Sequence, residues 1–162
     1  MSQVRGNILS GDNIDCVTHM LPIKTWYEKR DHYYGCHIIS DKQFEYLWAI
    51  LQYGTLREAG QALNMPWNLI KEKLPSKFVY FIKSLDKIKI GASSGDGFPS
   101  RVSAFSTSNP HELTLIFALH GDTKDEQKIH EQYSDYHVSG EWFKATPIIL
   151  DLDGKSKGYN GK

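Results

Sequence analysis

Side chains that could act on a phosphate group are spaced through the second half of the sequence. They are a tyrosine, a lysine, an arginine, a glutamate and a histidine: Tyr80, Lys89, Arg101, Glu126 and His130. Cleaving a phosphodiester bond requires an activated water, positive charge near the phosphate oxygens and stabilisation of the leaving alkoxide. A carboxylate can hold hydrated Mg²⁺, an arginine fork matches phosphate oxygens, and a phenol can exchange a hydrogen bond with the reacting group. The set therefore indicates chemistry on phosphates.

Glu126 and His130 are four residues apart in a segment with helical spacing of its apolar residues. Side chains at this separation project from one helix face toward the same pocket. Glu126 is the candidate metal ligand, and His130 could relay a proton or hold a phosphate. A simpler interpretation is that Glu126 completes a capping box with Thr123, three residues earlier. Taken singly, Tyr80 could also be a packing residue and Arg101 a solvated surface charge.

The elements that must position these residues follow from the hydrophobic pattern. Alternation over residues 78–82 predicts a strand, residues 88–91 return as the second strand of a hairpin, and residues 113–119 form a third strand. One short helix lies between the second and third strands, and a longer helix begins at Thr123. The segment is therefore predicted to be α+β.

A helix-turn-helix is predicted upstream of these strands. Helical spacing indicates an amphipathic helix over 41–53, a second helix capped by Thr55 and a third helix over 67–74. The turn at 64–66 separates the last two helices. The side chains left to meet a DNA major groove are Trp67, Asn68, Lys71 and Lys73. The alternative is a helical pair that only packs against the neighbouring domain.

The charge distribution fits a local rather than a global attraction to nucleic acid. Nineteen basic and nineteen acidic residues cancel over the 162-residue chain, so no overall positive field announces such a partner. Between Lys71 and Lys89, however, six lysines stand against two acidic residues, Glu72 and Asp86. This stretch is the basic patch expected of a DNA-binding surface.

The amino-terminal segment contains a set of cysteines and histidines with the spacing of a zinc finger. The four candidate ligands are Cys16, His19, His32 and Cys36. Two cysteines with two histidines make a tetrahedral zinc set, and a structural metal could stabilise a region with little core of its own. The alternative is chance, because the short window is rich in both residue types. The segment is otherwise predicted to hold short strands and loops.

Composition excludes several classes of protein. No apolar run approaches the roughly 18 residues of a membrane helix, and no secretory leader is expected at the start, so a cytoplasmic location is predicted. The 2 cysteines are too few for a disulfide framework. The hydrophobic fraction of 40% is ample for a packed core.

The ordered motifs resemble the GIY-YIG nuclease superfamily, in particular its phage-type branch. They are Phe78-Val79-Tyr80, Lys89-Ile90-Gly91, Arg101, the Glu126-x-x-x-His130 helix and Gly140-Glu141-Trp142-Phe143. The resemblance implies a small three-stranded antiparallel sheet flanked by helices and a metal-dependent nuclease acting on DNA. It also implies that Tyr80 is the first-motif tyrosine, Arg101 the family's arginine and Glu126 its metal ligand. Lys89 stands where the second-motif tyrosine would be, and a lysine could activate water there only with a lowered pKa.

The sequence is therefore predicted to comprise a His/Cys-rich segment (1–39), a helix-turn-helix (40–75), a GIY-YIG-like domain (76–152) and a disordered tail (153–162). The predicted function is endonuclease cleavage of double-stranded DNA with Mg²⁺ or Mn²⁺, in a phage or mobile-element setting and in the host cytoplasm. Lys89 motivates an alternative, a catalytically inactive DNA-binding regulator on the same fold. A third possibility is a protein-binding module, which would show no salt-dependent retention on DNA.

Overall fold

A five-stranded antiparallel sheet dominates the computed structural model, which describes residues 32–108 and 111–152, without the side chains of His32, Ser106 and Ser108. In chain order the elements are β1 (His32–Tyr33), β2 (Cys36–His37), α1 (Asp41–Tyr53), α2 (Leu56–Leu63), α3 (Trp67–Lys73), β3 (Lys77–Ser84), β4 (Lys87–Ser94), α4 (Phe98–Ser108), β5 (Thr114–His120), α5 (Thr123–Gln132), β6 (His137–Ser139), β7 (Trp142–Lys144) and α6 (Ala145–Leu152). The described part of the chain is thus mixed α+β, with six α-helices.

The sheet is larger than the predicted one. Its strand order is β5-β3-β4-β7-β6, and every neighbouring pair is antiparallel. The three predicted strands form its first three positions, and a hairpin of β6 and β7 extends it beyond β4. The prediction of three strands is wrong because these two strands have three residues each, too few for alternation to reveal them. β1 and β2 form a separate two-stranded sheet.

The two faces of the sheet carry two separate hydrophobic cores. On one face, Phe78, Tyr80 and Ile82 of β3 pack with residues of α1, α2, α3 and α4. On the other face, Val79 and Phe81 pack with residues of β1, β2, α5 and α6. Successive side chains of a strand point to opposite faces, so the alternation predicted for this strand is confirmed. Both faces are covered, which explains why the strand has a nearly continuous apolar sequence.

The helices predicted between residues 41 and 74 are present. Gly54 ends α1 with a φ of 95°, a left-handed conformation that glycine adopts without steric cost. The Thr55 hydroxyl accepts from the Glu58 N–H at 3.0 Å and caps α2. Asn64 ends α2 with a φ of 58°, and Pro66 precedes α3. The apolar positions predicted for the helix pair are buried or packed against the core: Leu56, Ala59, Leu63, Met65, Ile70 and Leu74.

The capping interpretation of Glu126 is wrong by one residue. The N-cap of α5 is Asp122, whose Oδ1 accepts from the N–H groups of Lys124 at 3.0 Å and Asp125 at 3.3 Å. Asp125 completes the box, since its Oδ2 accepts from the Asp122 N–H at 2.9 Å. The carboxylate of Glu126 therefore has no part in this box.

Buried tyrosines fasten the amino-terminal hairpin to the second core. The hydroxyls of Tyr33 and Tyr133 form a hydrogen bond with each other, and the Tyr133 hydroxyl donates to Oδ2 of Asp151 at 2.9 Å. Burial is the main cause that raises the pKa of both tyrosines, so both hydroxyls keep their protons. The contact joins β1, the end of α5 and α6.

Two predictions fall on residues outside the described part. The disordered tail at 153–162 lies there, as does most of the amino-terminal segment, and the domain boundaries stay predictions. Within the described ranges, none of the helices has the length and apolar character needed to cross a membrane.

Candidate active site

One residue at the open edge of β4 brings three parts of the chain together. β7 pairs with β4 over Lys87–Lys89, so the next edge groups, those of Ile90, need other partners. The Ile90 N–H donates to the carbonyl oxygen of Glu141 at 2.9 Å. The Ile90 carbonyl oxygen lies 2.8 Å from Nε2 of His130 on α5. The site therefore forms just beyond the pairing of Trp142 with Lys89, where α5 lies beside β4 in place of β7.

The Tyr80 hydroxyl lies buried beside Gly91, its cross-strand partner. The residue is 0% exposed, and its hydroxyl has no hydrogen-bond partner among the described residues. A Cβ atom on Gly91 would collide with this hydroxyl and would lie 2.8 Å from Oε1 of Glu141. The glycine thus leaves the space in which phenol and carboxylate meet. Burial, followed by the charge of Glu141, raises the pKa of Tyr80, so the phenol keeps its proton.

Glu126 is a largely buried carboxylate that faces a second carboxylate. Its side chain is 16% exposed, and its Oε2 lies 3.7 Å from Nε2 of His130. Burial is the first cause that raises the pKa of Glu126, and the negative charge of Glu141 raises it further. His130 and Arg101 act in the opposite direction. Because the net pKa shift is upward, these neighbours do not fully offset the cost of the buried charge.

Lys89 lies among groups that attract a cation. Its Nζ is 3.5 Å from Oε1 of Glu141. The same atom is 5.2 Å from the ring centroid of Phe105 and 5.3 Å from that of Trp142, within cation–π range. These three contacts suit an ammonium that supplies positive charge to the site. The water-activating role considered for Lys89 stays a prediction.

Arg101 reaches the site from the exposed flank of α4. Phe98, Val102 and Phe105 of this helix are buried against the sheet, while Arg101 between them in sequence is exposed. Its charge lowers the pKa of both Tyr80 and Glu126, although other causes outweigh it at each. The guanidinium is therefore near the buried groups and also open to a phosphate arriving from solvent.

The Nε2 atom of His130 forms a hydrogen bond with the sheet. A carbonyl oxygen only accepts, so the short contact with Ile90 assigns a proton to Nε2. The ring also packs edge-on against Phe143, with 4.9 Å between ring centroids. Nδ1 is then the ring atom left for a proton relay. The arrangement favours His130 as a residue that holds α5, and with it Glu126, against β4.

The structure brings all five predicted chemical residues to one place and adds a sixth. Lys89 and Tyr80 come from neighbouring strands, Arg101 from α4, and Glu126 with His130 from α5. The sixth is Glu141, whose carboxylate touches Lys89 and acts on the pKa of both Tyr80 and Glu126. Its position in the Gly140-Glu141-Trp142-Phe143 motif was the sequence signal that could have identified it.

The two carboxylates fit a hydrated divalent cation. Mg²⁺ keeps several waters and is bound through one or two carboxylates together with substrate phosphates. Glu126 and Glu141 supply two, and their mutual repulsion is the kind that a cation relieves. Within the ranges described, no group of three or more His, Cys, Asp or Glu side chains could hold a metal ion. A hydrated Mg²⁺ or Mn²⁺ is a cation that one or two carboxylates could hold.

The predicted DNA-contacting side chains of the helix pair are all exposed: Trp67, Asn68, Lys71 and Lys73. Trp67 is 47% exposed, a large fraction for a residue of its size. A groove lined by Lys71, Ser76, Ser94 and other residues joins the end of α3 to the end of β4. The helix pair thus adjoins the end of β4 that follows Gly91.

Three of the four predicted zinc ligands cannot be compared with the structure. Cys16 and His19 lie outside the described residues, and so does the side chain of His32. Cys36 is buried in the second core, with its thiol sulfur 3.9 Å from the carbonyl oxygen of Tyr34. The zinc site stays a prediction.

Comparison with known families connects the sheet to a named domain. Residues 77–152 match the T5orf172 domain. This domain is phage-associated and related to endonucleases. The T5orf172 match runs from the start of β3 to the end of α6 and so contains the whole candidate active site. No curated protein and no solved structure matches the chain.

Proposed function

We propose that the protein is a divalent-metal-dependent DNA endonuclease. The observation that carries this proposal is the meeting of Tyr80, Lys89, Arg101 and two carboxylates around residues 89–91 of β4, inside the segment that matches the T5orf172 domain. These are the groups that hydrolysis of a phosphodiester requires: phosphate-binding cations, a proton donor and ligands for a metal.

Each side chain has a role that follows from its contacts. Arg101, exposed beside the buried groups, binds the phosphate and orients it. Tyr80 has a raised pKa, so its neutral phenol donates a hydrogen bond toward the reacting group. Lys89 adds positive charge where negative charge develops on the phosphate oxygens. His130 fixes α5 to Ile90 and thereby positions Glu126.

The divalent cation would be held by Glu126, beside Glu141. When bound, it supplies Lewis acidity toward phosphate oxygens and makes a bound water more acidic. The carboxylate of Glu126 is available for this use, because Asp122 and Asp125 form the capping box of α5 without it.

DNA binding is assigned to the exposed side of α2 and α3 as a helix-turn-helix. The turn between them is short, and the side chains exposed on α3 include Lys71 and Lys73 at its basic end. Such a unit would add affinity for DNA and fix the position of the protein along the duplex, which the small catalytic domain alone would not do. The groove from Lys71 to Ser94, which Glu72 and Asp96 also line, joins this unit to the end of β4 that follows Gly91.

The first test is conversion of supercoiled plasmid to nicked or linear DNA by the purified protein. We expect conversion with Mg²⁺ or Mn²⁺ and none with EDTA. A folded protein that leaves the plasmid intact in every metal, at concentrations where it retards DNA in a gel, would contradict the endonuclease proposal.

That second outcome would identify an inactive DNA-binding regulator, the competing proposal. The observation in its favour is Lys89, which stands at the position of the second-motif tyrosine and is engaged by Glu141, Phe105 and Trp142. A protein-binding module is distinguished from both, because it would show neither cleavage nor salt-dependent retention on DNA.

Lys71→Ala is expected to weaken DNA binding without abolishing catalysis at saturating DNA. Loss of one phosphate contact should reduce the slope of log K against log salt concentration by about 1. The measurement is fluorescence anisotropy of labelled duplex DNA over a series of salt concentrations. Lys144→Ala is the matched control, since Lys144 is exposed and pairs with Lys87 at the opposite end of β4. Equal slopes for both variants would argue against this surface.

Tyr80→Phe is expected to separate activity from stability. The variant loses a proton donor, so cleavage should fall by about a hundredfold or more. It also removes a buried hydroxyl without a partner, so the free energy of unfolding should rise by about 1 kcal/mol. Cleavage rates and urea denaturation measure the two effects. Tyr136→Phe, at a residue that is 39% exposed, should change neither. A fully active Tyr80→Phe protein would rule out this role.

A further inference from the structure

We propose that Glu141 is a second metal ligand, which together with Glu126 holds the divalent cation, and that Lys89 is the counter-ion of Glu141 while the cation is absent. The inference deepens the proposed function and rests on it for the reaction that the cation serves. It assigns a binding role to a side chain on the turn between β6 and β7, outside the helix that carries Glu126.

Backbone contacts hold Glu141 beside β4 at the site. Its carbonyl oxygen accepts from the Ile90 N–H at 2.9 Å, and the next residue, Trp142, is the pairing partner of Lys89. The side chain is 35% exposed, so it is neither buried in a core nor free in solvent. It therefore has a defined position and access to a hydrated ion.

Three chemically different groups converge on the Glu141 carboxylate. Oε1 lies 3.5 Å from Nζ of Lys89. It would also lie 2.8 Å from a Cβ atom added to Gly91, a position that the Tyr80 hydroxyl adjoins as well. Glu126 reaches the same part of β4 through His130, whose Nε2 lies 3.7 Å from Oε2 of Glu126 and 2.8 Å from the Ile90 carbonyl oxygen. The N–H group of the same Ile90 donates to the carbonyl oxygen of Glu141. The ammonium balances one of the two carboxylates, and the second negative charge is left for another cation.

The Tyr80 hydroxyl points independently to a ligand in this space. It is fully buried and forms no hydrogen bond of normal length and angle, although the Arg101 guanidinium is near enough to lower the pKa of Tyr80 and the Glu141 carboxylate adjoins it across Gly91. A buried hydroxyl without a partner is costly unless something is bound there. A metal-bound water in front of the two carboxylates would provide that partner.

A simpler role for Glu141 would be to hold Lys89 in place. The two roles predict different results for metal affinity. If Glu141 is a ligand, removing its charge weakens cation binding, and removing the Lys89 charge strengthens it by ending a repulsion. If Glu141 only positions Lys89, Glu141→Gln should leave the cation affinity close to that of wild type, and the Lys89 change alone does not distinguish the two roles.

The test is direct binding of Mn²⁺ to the full chain, measured from the electron paramagnetic resonance signal of the free ion. Glu141→Gln, which retains the side-chain shape, is expected to lower the affinity by at least about tenfold. Lys89→Met is expected to raise it by about threefold or more. Glu131→Gln is the matched control, because Glu131 is an exposed carboxylate on α5. The Mn²⁺ affinity of this variant should stay within about twofold of wild type. Thermal melts establish that each variant is folded.

A Glu141→Gln affinity within twofold of wild type would overturn the inference, as would a wild-type protein that binds no Mn²⁺. Plasmid cleavage by the same samples separates this failure from failure of the proposed function. Metal-dependent cleavage together with unaltered Mn²⁺ binding by Glu141→Gln would refute only the ligand role. Mn²⁺ binding that depends on both Glu126 and Glu141, without any cleavage, would refute only the nuclease.

Discussion

Glu126→Gln is expected to lower metal-dependent plasmid cleavage by about a thousandfold or more while leaving DNA affinity nearly unchanged. The carboxylate is the main candidate ligand for the cation, and the cation acts on charge that develops only in the transition state. Under the proposed function, DNA in the ground state is instead held by the lysines and Arg101. Single-turnover cleavage and DNA anisotropy, measured on the same preparation, test the two halves of this expectation.

The same substitution should not destabilise the protein. Because the pKa of Glu126 is raised in the folded state, the folded protein holds this proton more tightly than the unfolded chain does, and stability is lost as pH rises through the folded pKa. A neutral glutamine removes that loss. At neutral pH we therefore expect a melting temperature equal to or above that of wild type. Glu131→Gln is the control on the same helix, and full activity in Glu126→Gln would disprove the ligand assignment.

Gly91→Ala is expected to have the largest effect on the fold. The new Cβ would collide with the Tyr80 hydroxyl and lie 2.6 Å from Cζ of the same ring. That ring cannot move easily, because it packs against Phe98 and Phe105 with 5.8 Å between centroids in both pairs. Such overpacking should lower the free energy of unfolding by about 1–3 kcal/mol. Cleavage should fall as well, since the collision displaces the phenol.

A double-mutant cycle with Tyr80→Phe gives this prediction its control. Phenylalanine lacks the hydroxyl that lies closest to the added methyl, so Gly91→Ala should cost less in the Tyr80→Phe background than in wild type. Urea denaturation of the four proteins measures the difference. Additive effects on the free energy of unfolding would show that the collision is not the cause.

The strands and helices that carry the site were largely predictable, because local patterns define them. The alternation in β3, the Thr55 cap and the Asn64 turn each depend on neighbours within a few residues. The prediction failed where a strand was very short or where two adjacent residues could both cap a helix. β6 and β7 are three residues each, and Asp122, not Thr123, caps α5, since adjacent residues both had suitable side chains.

That Glu126 and His130 lie on one helix face could be predicted, but the contacts among the candidate site residues could not. Glu126 and His130 share a helix face by sequence spacing alone. That His130 binds the Ile90 carbonyl, and that Lys89 faces Glu141, Phe105 and Trp142, depends on strand pairing over long separations. Glu141 is the clearest example of what the sequence did not reveal, because only the pairing of β7 with β4 brings its carboxylate to the other groups.

By itself, the sequence determined the types of chemical group, the order of the main elements and the two apolar faces of β3, since these depend on composition and on helical or strand periodicity. The tertiary structure decided which groups meet. The free edge of β4 at Ile90 needs hydrogen-bond partners, and Glu141 and His130 supply them. That requirement sets two carboxylates, an ammonium and a buried phenol around Gly91, which no local pattern encodes.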